Sequence, residues 1–361
     1  MPEKKITARE RGIKTFNAVR NASTNDQFLG AVPEANINSD FQMSFAPMLR
    51  YTAHMNEFLS LLVNKIVMQT VEAKTYQNPF SILRGEGYPL GTDIEHSYIN
   101  PARSREYSIE LGDTLLNRVK PDVKVQYFRR NRQDQFPVTV PREILTGGFT
   151  RWEQLDDMVA GMIRSLYSGN EIAEMNLVKS VWVDGINNDY IRTITVPNYA
   201  EDEAGAKSLI KTVRSLAEKF KFPSANYNNW LAYAQASGIE DQTPAITWVE
   251  NSDVVLFLTA DALASADVDS MAAAFNLNLG DFRTRVIAVD AFSYYNRQGQ
   301  IFDAPRLIGV LMDRKAIKYR DNLRQSGDFY NPAGLYTNHY LNVWQTYELD
   351  MCANIVGLVS A

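Results

Sequence analysis

Apolar positions change their spacing several times along the chain, and each change marks a different kind of element. Residues 1–48 are polar, hold three prolines and show no sustained period, which predicts an extended N-terminal arm. Residues 49–74 repeat apolar side chains at helical spacing and predict an amphipathic helix. Residues 75–148 hold six prolines and short alternating runs, so we expect strands in a long, poorly buried, hairpin-like excursion.

Residues 149–205 predict the longest helix of the chain. Thr150 and Glu153 form a capping box, and apolar side chains continue at helical spacing as far as Trp182. These positions predict a helix of about 30 residues, which we expect Gly169 to kink or interrupt.

Residues 206–325 alternate between helical and strand patterns and predict a compact α/β unit. An amphipathic helix covers 209–220, and a strand at 190–196 precedes it. Continuous apolar runs predict buried strands at 254–258, 286–289 and 307–312. The last segment, 326–361, is aromatic and strand-like but has too little apolar material to form a domain alone. We therefore expect it to return to the earlier part of the chain.

Charge is distributed unevenly along the chain. The 361 residues are 45% hydrophobic and 22% charged, as in soluble globular proteins with a large core. The net charge is −5, but residues 1–20 hold six basic against two acidic residues, and residues 118–142 hold seven against two. Residues 238–281 hold eight acidic residues and no lysine or arginine. Such segments attract each other between copies of a chain as well as within one.

The basic segment 118–142 allows two interpretations. Its arginines, with Tyr127 and Phe128 beside them, are suited either to gripping phosphates or to ion pairing with an acidic neighbouring chain. We favour ion pairing because the chain is acidic overall. The candidate contact residues are Arg118, Lys124, Arg129, Arg130 and Arg132.

Motifs typical of enzymes are absent from the sequence. The three histidines, His54, His96 and His339, lie far apart in the sequence and are not next to a cysteine or a paired carboxylate motif. A nucleophile elbow, a zinc-protease motif and a phosphate-binding loop are also missing. We therefore predict no catalytic residue, no cofactor and no metal.

The remaining motifs have structural interpretations. The glycine-rich string at 85–91 lacks dinucleotide-binding spacing and predicts a turn cluster. Asp267 and Asp269 resemble the start of a calcium loop, but Ala272 stands where that loop requires glycine. The single cysteine, Cys352, excludes an internal disulfide and predicts a small buried side chain. Without a secretory signal or an apolar run of roughly 18 residues, we expect a protein made and used in soluble form, not in a membrane.

Five strings stand in order along nearly the whole chain. They are FNAVRN (16–21), YPLGTDIE (88–95), FRRNRQ (128–133), AAAFNLNLGDF (272–282) and NPAGLYTNHYLNVWQTYEL (331–349). Together they resemble the major capsid proteins of small short-tailed phages with protein-primed DNA replication, the Salas-type podovirus group. The last string is the most specific. The resemblance implies the Hong Kong 97 capsid fold, which belongs to the α+β class.

The resemblance also implies a role for each segment. The roles are N-terminal arm (1–48), start of the peripheral domain (49–74), extended loop (75–148), peripheral domain with spine helix (149–205), axial domain (206–325) and C-terminal return to the peripheral domain (326–361). One subunit must then fill five-fold and six-fold positions, so we expect a loop hinge near Gly147 and Gly148.

The implied function is that of a major capsid protein, not an enzyme. Its copies would form pentamers and hexamers of an icosahedral or prolate shell around double-stranded DNA, bound without sequence specificity. A separate scaffolding protein, a portal, a virion location and assembly in the cytoplasm of a bacterial host are also implied. Because the chain stops at Ala361, we expect no immunoglobulin-like domain of the kind that some relatives carry. Two alternatives stay open: a nanocompartment shell of the same fold, and an α/β enzyme built on 206–325.

Overall fold

The computed structural model describes residues 7–51, 53–58, 61, 76–88, 93–104, 118–141, 152–197, 203–239, 243–265, 285–334 and 336–361. The helices are α1 (Ala8–Arg20), α2 (Asp26–Ala31), α3 (Phe41–Arg50), α4 (Trp152–Asn187), α5 (Glu203–Phe220), α6 (Trp230–Ala236) and α7 (Ala260–Ser265). Residues 53–58 are also helical, and short 3-10 helices cover Pro79–Leu83 and Asn251–Asp253. The predicted capping box at Thr150 and the acidic turn at Asp267 and Asp269 lie outside these ranges.

The strands form four sheets within the same ranges. They are β1 (Ile94–Ile99), β2 (Val123–Phe128), β3 (Arg132–Pro141), β4 (Arg192–Val196), β5 (Val254–Thr259), β6 (Val286–Val289), β7 (Ser293–Tyr295), β8 (Ile301–Asp303), β9 (Leu307–Asp313), β10 (Ile317–Asn331), β11 (Tyr336–Leu349) and β12 (Ile355–Ser360). The sheet orders are β1-β2, β10-β11-β3, β4-β12-β9-β5-β6 and β7-β8. This mixture of helices and strands is the α+β class that the resemblance implies.

The chain divides into two compact units, each built from segments that are distant in the sequence. The first unit combines Met1–Asn78, Gln133–Ala173 and Leu323–Trp344, and the second combines Pro79–Arg132, Glu174–Asn322 and Gln345–Ala361.

The five-stranded sheet forms the centre of the second unit. Its strand β9 is antiparallel to β5 and β12, whereas β12 with β4 and β5 with β6 are parallel pairs. Helix α5 covers one face, where Leu209 and Val213 pack with Leu256. The last part of α4 covers the other face, where the rings of Trp182 and Phe257 lie 4.6 Å apart. Both faces of the three central strands, β12, β9 and β5, are therefore buried, which explains their continuous apolar runs.

Two strands extend this sheet beyond the predicted α/β unit. Strand β4 precedes that unit in the sequence, and β12 follows it. Strand β12 lies between β4 and β9, where Val356 and Leu358 are fully buried. The sequence predicted that 326–361 returns to the earlier part of the chain as one segment. In the structure this segment is divided between the two units after Trp344. The physical reason is the apolar run at the start of β12, which requires cover on both faces.

Residues 8–20, 26–31 and 41–50 are helical rather than extended, which corrects the predicted backbone of the arm over these ranges. Thr7 and Glu10 form a capping box at the start of α1, and Asn25 caps α2. The rings of Phe16 and Phe58 are fully buried, with centroids 5.7 Å apart. On α1 the buried Ile13, Phe16 and Val19 lie at helical spacing, but this run is short and most of the segment is polar, so the small aromatic core was not predicted.

Helix α4 is longer than predicted and continuous. It spans 36 residues, and Gly169 lies inside it without ending it. A Cβ atom at Gly169 would stand 3.6 Å from the ring of Phe136, an ordinary van der Waals contact. Gly169 therefore marks a close approach of an aromatic ring rather than a break in the helix.

Replacing Gly309 of β9 by alanine should destabilise the subunit. The added Cβ would lie 2.6 Å from Leu258 Cδ2 and 2.9 Å from the Phe257 carbonyl oxygen, and backbone cannot move aside in a central strand. We expect a loss of about 1–3 kcal/mol in the free energy of unfolding, measured by denaturant titration of unassembled subunits.

Gly161 supplies the matched control for this prediction. It is exposed on α4, and a Cβ there meets nothing within 4 Å. Gly161→Ala should stabilise the subunit by up to about 1 kcal/mol because alanine favours helix. Equal unfolding midpoints for Gly309→Ala and the parent would contradict the packing argument.

Candidate intersubunit contact surface

The predicted contact residues lie on or next to the antiparallel hairpin of β1 and β2. Its register pairs Ile99 with Val123, and successive side chains point to opposite faces. Lys124 and Phe128 belong to the buried face, whereas Ile99, Val123 and Tyr127 belong to the exposed one. The hairpin thus packs against the rest of the second unit through a face that contains a lysine.

Lys124 is anchored by a polar cluster inside its own chain. Its Nζ lies 2.6 Å from Asp122 Oδ1 and also donates to the hydroxyl of Thr243. Asn100 Nδ2 donates to Asp122 Oδ2 at 2.6 Å, and Asn100 Oδ1 accepts from the Ile246 N–H at 2.9 Å. Burial opposes ionisation of Asp122, but the hydrogen bonds from Lys124 and Asn100 outweigh it and lower its pKa. The buried ammonium group is therefore matched by an ionised partner.

Two amide side chains attach the end of the hairpin to the backbone of 347–351. Gln126 Nε2 donates to the Leu349 carbonyl at 2.9 Å, and Gln126 Oε1 accepts from the Met351 N–H at 3.0 Å. Asn131 Oδ1 accepts from the Tyr347 N–H at 2.9 Å, and Asn131 Nδ2 donates to the Tyr347 carbonyl. Each amide pairs with one backbone donor and one acceptor, as a neighbouring strand would.

Arg132 belongs to a second buried cluster, centred on the carboxylate of Glu174. The exposed fraction is 1% for the Arg132 side chain and 0% for Glu174, and Arg132 Nη1 lies 3.8 Å from Glu174 Oε1. Arg132 donates to Gln345 Oε1, and Gln345 Nε2 donates to Glu174 Oε1 at 2.7 Å. Arg84 and the Tyr319 hydroxyl both donate to Glu174 Oε2. Such dense pairing is what a buried charge requires.

The structure therefore separates the five predicted contact residues into two groups. Lys124 and Arg132 are buried and paired within their own chain, so they are not surface residues of the subunit. Arg118, Arg129 and Arg130 are exposed, and they stay the candidate contact residues. Charge counted along a sequence does not reveal which cations have partners in the interior.

Glu348 lies close to the exposed arginine end of the hairpin. Arg129 Nε is 3.0 Å from Asp93 Oδ2, and the Arg129 side chain is 76% exposed. The Arg129 backbone N–H donates to the Glu348 carboxylate. Burial raises the pKa of Glu348 to about 7, and Asp93 adds to this rise while Arg129 opposes it. Glu348 therefore changes its charge near neutral pH.

Glu174 was not predicted from the sequence, although its position carries a signal. Asn170, Glu174, Val178 and Trp182 follow at four-residue spacing on α4, and all four are buried. A carboxylate on the buried stripe of a helix implies a buried cationic partner. The predicted hinge residues, Gly147 and Gly148, lie outside the described residues, so the hinge stays a prediction.

Two further titratable groups, His96 and Cys352, have structural surroundings. His96 Nδ1 lies 3.3 Å from Asp350 Oδ2, and burial lowers the pKa of His96. Cys352 is buried, as predicted, and burial together with Asp350 raises the pKa of its thiol to about 12. Within the ranges that the structure describes, no group of three metal-ligating side chains occurs. No helix in those ranges is both long and apolar enough to cross a membrane.

Solved phage head structures have a similar fold. The capsid structure of Staphylococcus phage Andhra matches with a TM-score of 0.62 and 15% identity, covering 80% of this chain and 85% of that one. A chain in the structure of the head fiber and inner core protein gp22 of native bacteriophage P68 matches with a TM-score of 0.59. It is 15% identical and covers 80% of this chain and 86% of that one. The fold is thus the Hong Kong 97-like phage capsid fold, as the resemblance implied.

The sequence places the chain in one family of these proteins. The family model of the Phi29-like phage major capsid protein matches residues 16–359. The major capsid protein of Bacillus phage PZA is 28% identical over 346 residues, which cover 95% of this chain and 72% of the relative. That of Bacillus phage B103 is 27% identical over 347 residues, 96% of this chain and 72% of the relative. The chain belongs to the Phi29-like phage major capsid proteins, structural virion components that assemble into a shell of themselves.

Replacing Glu174 by leucine should strongly destabilise the subunit. The change leaves Arg132, which is 1% exposed, without the buried carboxylate that its guanidinium faces. We expect a loss of about 3–5 kcal/mol in the free energy of unfolding, measured by denaturant titration of unassembled subunits. Glu218→Gln is the control, because its ion pair with Lys221 lies at the surface and contributes at most about 1 kcal/mol. A similar small loss in both variants would contradict the role of Glu174.

Subunit stability should depend on pH through Glu348. The unfolded chain loses the proton of Glu348 near its ordinary pKa of 4.5, whereas the folded chain loses it at about 7. Between these values the folded state binds more protons, so the free energy of unfolding falls as pH rises. Glu348→Gln should flatten this slope in unfolding titrations at pH 5, 6, 7 and 8, and the surface variant Glu218→Gln should not. An unchanged slope in Glu348→Gln would contradict the assignment.

Proposed function

We propose that the shell forms partly through ion pairs between the basic hairpin region of one copy and acidic surface of its neighbours. The observation behind this proposal is that Arg129 is 76% exposed beside a hairpin whose other face is anchored in its own chain. Arg118 and Arg130 are also exposed. Residues 238–281, with eight acidic and no basic side chains, are the most acidic stretch that a neighbour offers.

In this proposal the segments keep the roles that the capsid resemblance implies. They are the N-terminal arm at 1–48, the extended loop at 75–148, the peripheral domain at 49–74 and 149–205 and the axial domain at 206–325. The segment 326–361 is the C-terminal return to the peripheral domain.

The proposal extends to what the shell contains. Pentamers and hexamers of the chain enclose double-stranded DNA, which they contact without reading its sequence, and a separate scaffolding protein and a portal take part in assembly. The net charge of −5 supports this role, because a strongly basic lining would hold the genome too tightly to release it. Assembly in the cytoplasm of a bacterial host and the lack of any catalytic step belong to the same proposal. The family match does not favour the nanocompartment or enzyme alternatives.

Reversing the charge of Arg118, Arg129 and Arg130 together, each to glutamate, should weaken assembly without unfolding the subunit. All three side chains are exposed, so the substitutions remove attraction between copies and leave the buried clusters intact. The exposed Arg129–Asp93 ion pair is also lost, but a surface pair of this kind contributes at most about 1 kcal/mol. The measurement is the fraction of closed shells, by gradient sedimentation and electron microscopy. For the parent protein this fraction should fall with added salt, since the screening length shortens from about 10 Å at 0.1 M to about 3 Å at 1 M.

The control for this experiment reverses two exposed cations of α5. Lys211→Glu with Arg214→Glu changes the net charge in the same direction outside the hairpin region and should assemble more fully than the triple variant. A triple variant that forms shells as fully as the parent at both low and high salt would overturn the ion-pair mechanism. Failure of the parent protein to form shells under any condition would instead count against the proposed shell.

A further inference from the structure

The β7–β8 hairpin exposes large apolar side chains on both of its faces. Tyr295 is 61% exposed, Ile301 62% and Phe302 40%. The register places Tyr295 opposite Ile301, so these two side chains are neighbours on one face. On the other face the rings of Tyr294 and Phe302 stack with centroids 5.3 Å apart. A cluster of this kind on a hairpin of three-residue strands is typical of a surface that another molecule covers.

The tip of this hairpin is rigid because Asn296 holds the turn from both ends. Asn296 Oδ1 accepts from the backbone N–H groups of Gln298 and Gln300 at 2.9 and 2.8 Å. Asn296 Nδ2 donates to the side-chain oxygens of the same two residues at 2.9 and 2.8 Å. Gly299 adopts a φ of 75°, which glycine allows without strain.

The base of the hairpin is tied to the last turns of α4. The Tyr294 hydroxyl donates to Asp184 Oδ1 at 2.8 Å, and Asn187 Nδ2 donates to the Asp303 carbonyl at 3.2 Å. The apolar side chains are therefore displayed on a support whose position is already determined. Binding to such a surface loses little conformational entropy, which favours its use as a contact.

The charge of the hairpin indicates the kind of partner. Residues 293–303 hold one arginine and one aspartate, so the hairpin is neutral, whereas the whole chain has a net charge of −5. Two copies of an acidic chain repel each other, and a neutral apolar surface is where they approach at the lowest electrostatic cost. A neutral surface has no general attraction for DNA. We propose that the β7–β8 hairpin is a contact surface for a second copy of this chain within the shell.

This proposal rests on the self-assembly of the chain and is tested by a pair of double variants. Tyr295→Ser with Ile301→Ser should reduce the yield of shells roughly tenfold, because both side chains are exposed in the free subunit and buried in the contact. Its unfolding midpoint should equal that of the parent, since neither residue belongs to the core. Tyr295→Phe with Ile301→Val keeps the apolar surface and should assemble like the parent. Full assembly of the serine variant would overturn the proposal, whereas a parent that forms no shell would count against self-assembly itself.

A labelling experiment identifies what covers the hairpin. Cys352 is buried, so a thiol introduced by Ile301→Cys is the accessible target for a maleimide. In shells that contain this chain alone, labelling should be about tenfold slower than in unassembled subunits. Equal rates would overturn the proposal, and so would protection found only in complete virions, because another head protein would then be the occupant. If Ile301→Cys folds normally but cannot assemble, that result supports the contact.

Discussion

The fully buried carboxylate of Glu174 is the constraint on which much of the second unit depends. Its burial costs several kcal/mol unless opposite charge and hydrogen bonds surround it. Arg84, Arg132, Tyr319 and Gln345 supply both, and they come from separate segments of the chain. The chain also passes from one unit to the other directly at Arg132, Glu174 and Gln345. One buried charge therefore holds several segments of the second unit together.

The central sheet could be predicted from the sequence because its strands have both faces covered. The predicted apolar runs match β5, β6 and β9, and in the central strands β5 and β9 nearly every side chain is buried between two helix layers. Strand β10 was not predicted as one long strand. Only Ile317 and Tyr319, at its start, are buried in alternation, and the rest of the strand includes several charged side chains. The N-terminal helices were missed for another reason: their common core is assembled from short pieces, and the one helical run at Ile13, Phe16 and Val19 lies within a polar segment.

The candidate contact surface could be predicted from the sequence only in part. The charge pattern located the segment 118–142 but misplaced Lys124 and Arg132, because β2 inverts the usual rule for strands. On β2 the apolar Val123 is exposed and the charged Lys124 is buried. The partner hydroxyl of Thr243 lies more than a hundred residues further along the chain, so only the fold brings the two together. A local pattern cannot predict burial that is made possible by distant polar groups.

The subunit thus separates the groups that stabilise it from those that remain available for assembly. Lys124, Arg132 and Glu174 are satisfied inside the chain, so they contribute to folding and leave little attraction for a neighbour. Arg118, Arg129 and Arg130 and the apolar side chains of the β7–β8 hairpin are instead exposed on the surface of the subunit. In physiological solution, salt largely screens interactions between exposed charges that lie more than about 8–10 Å apart, and it screens buried pairs much less. If exposed ion pairs join the copies as proposed, added salt should weaken assembly before it affects the fold of each subunit.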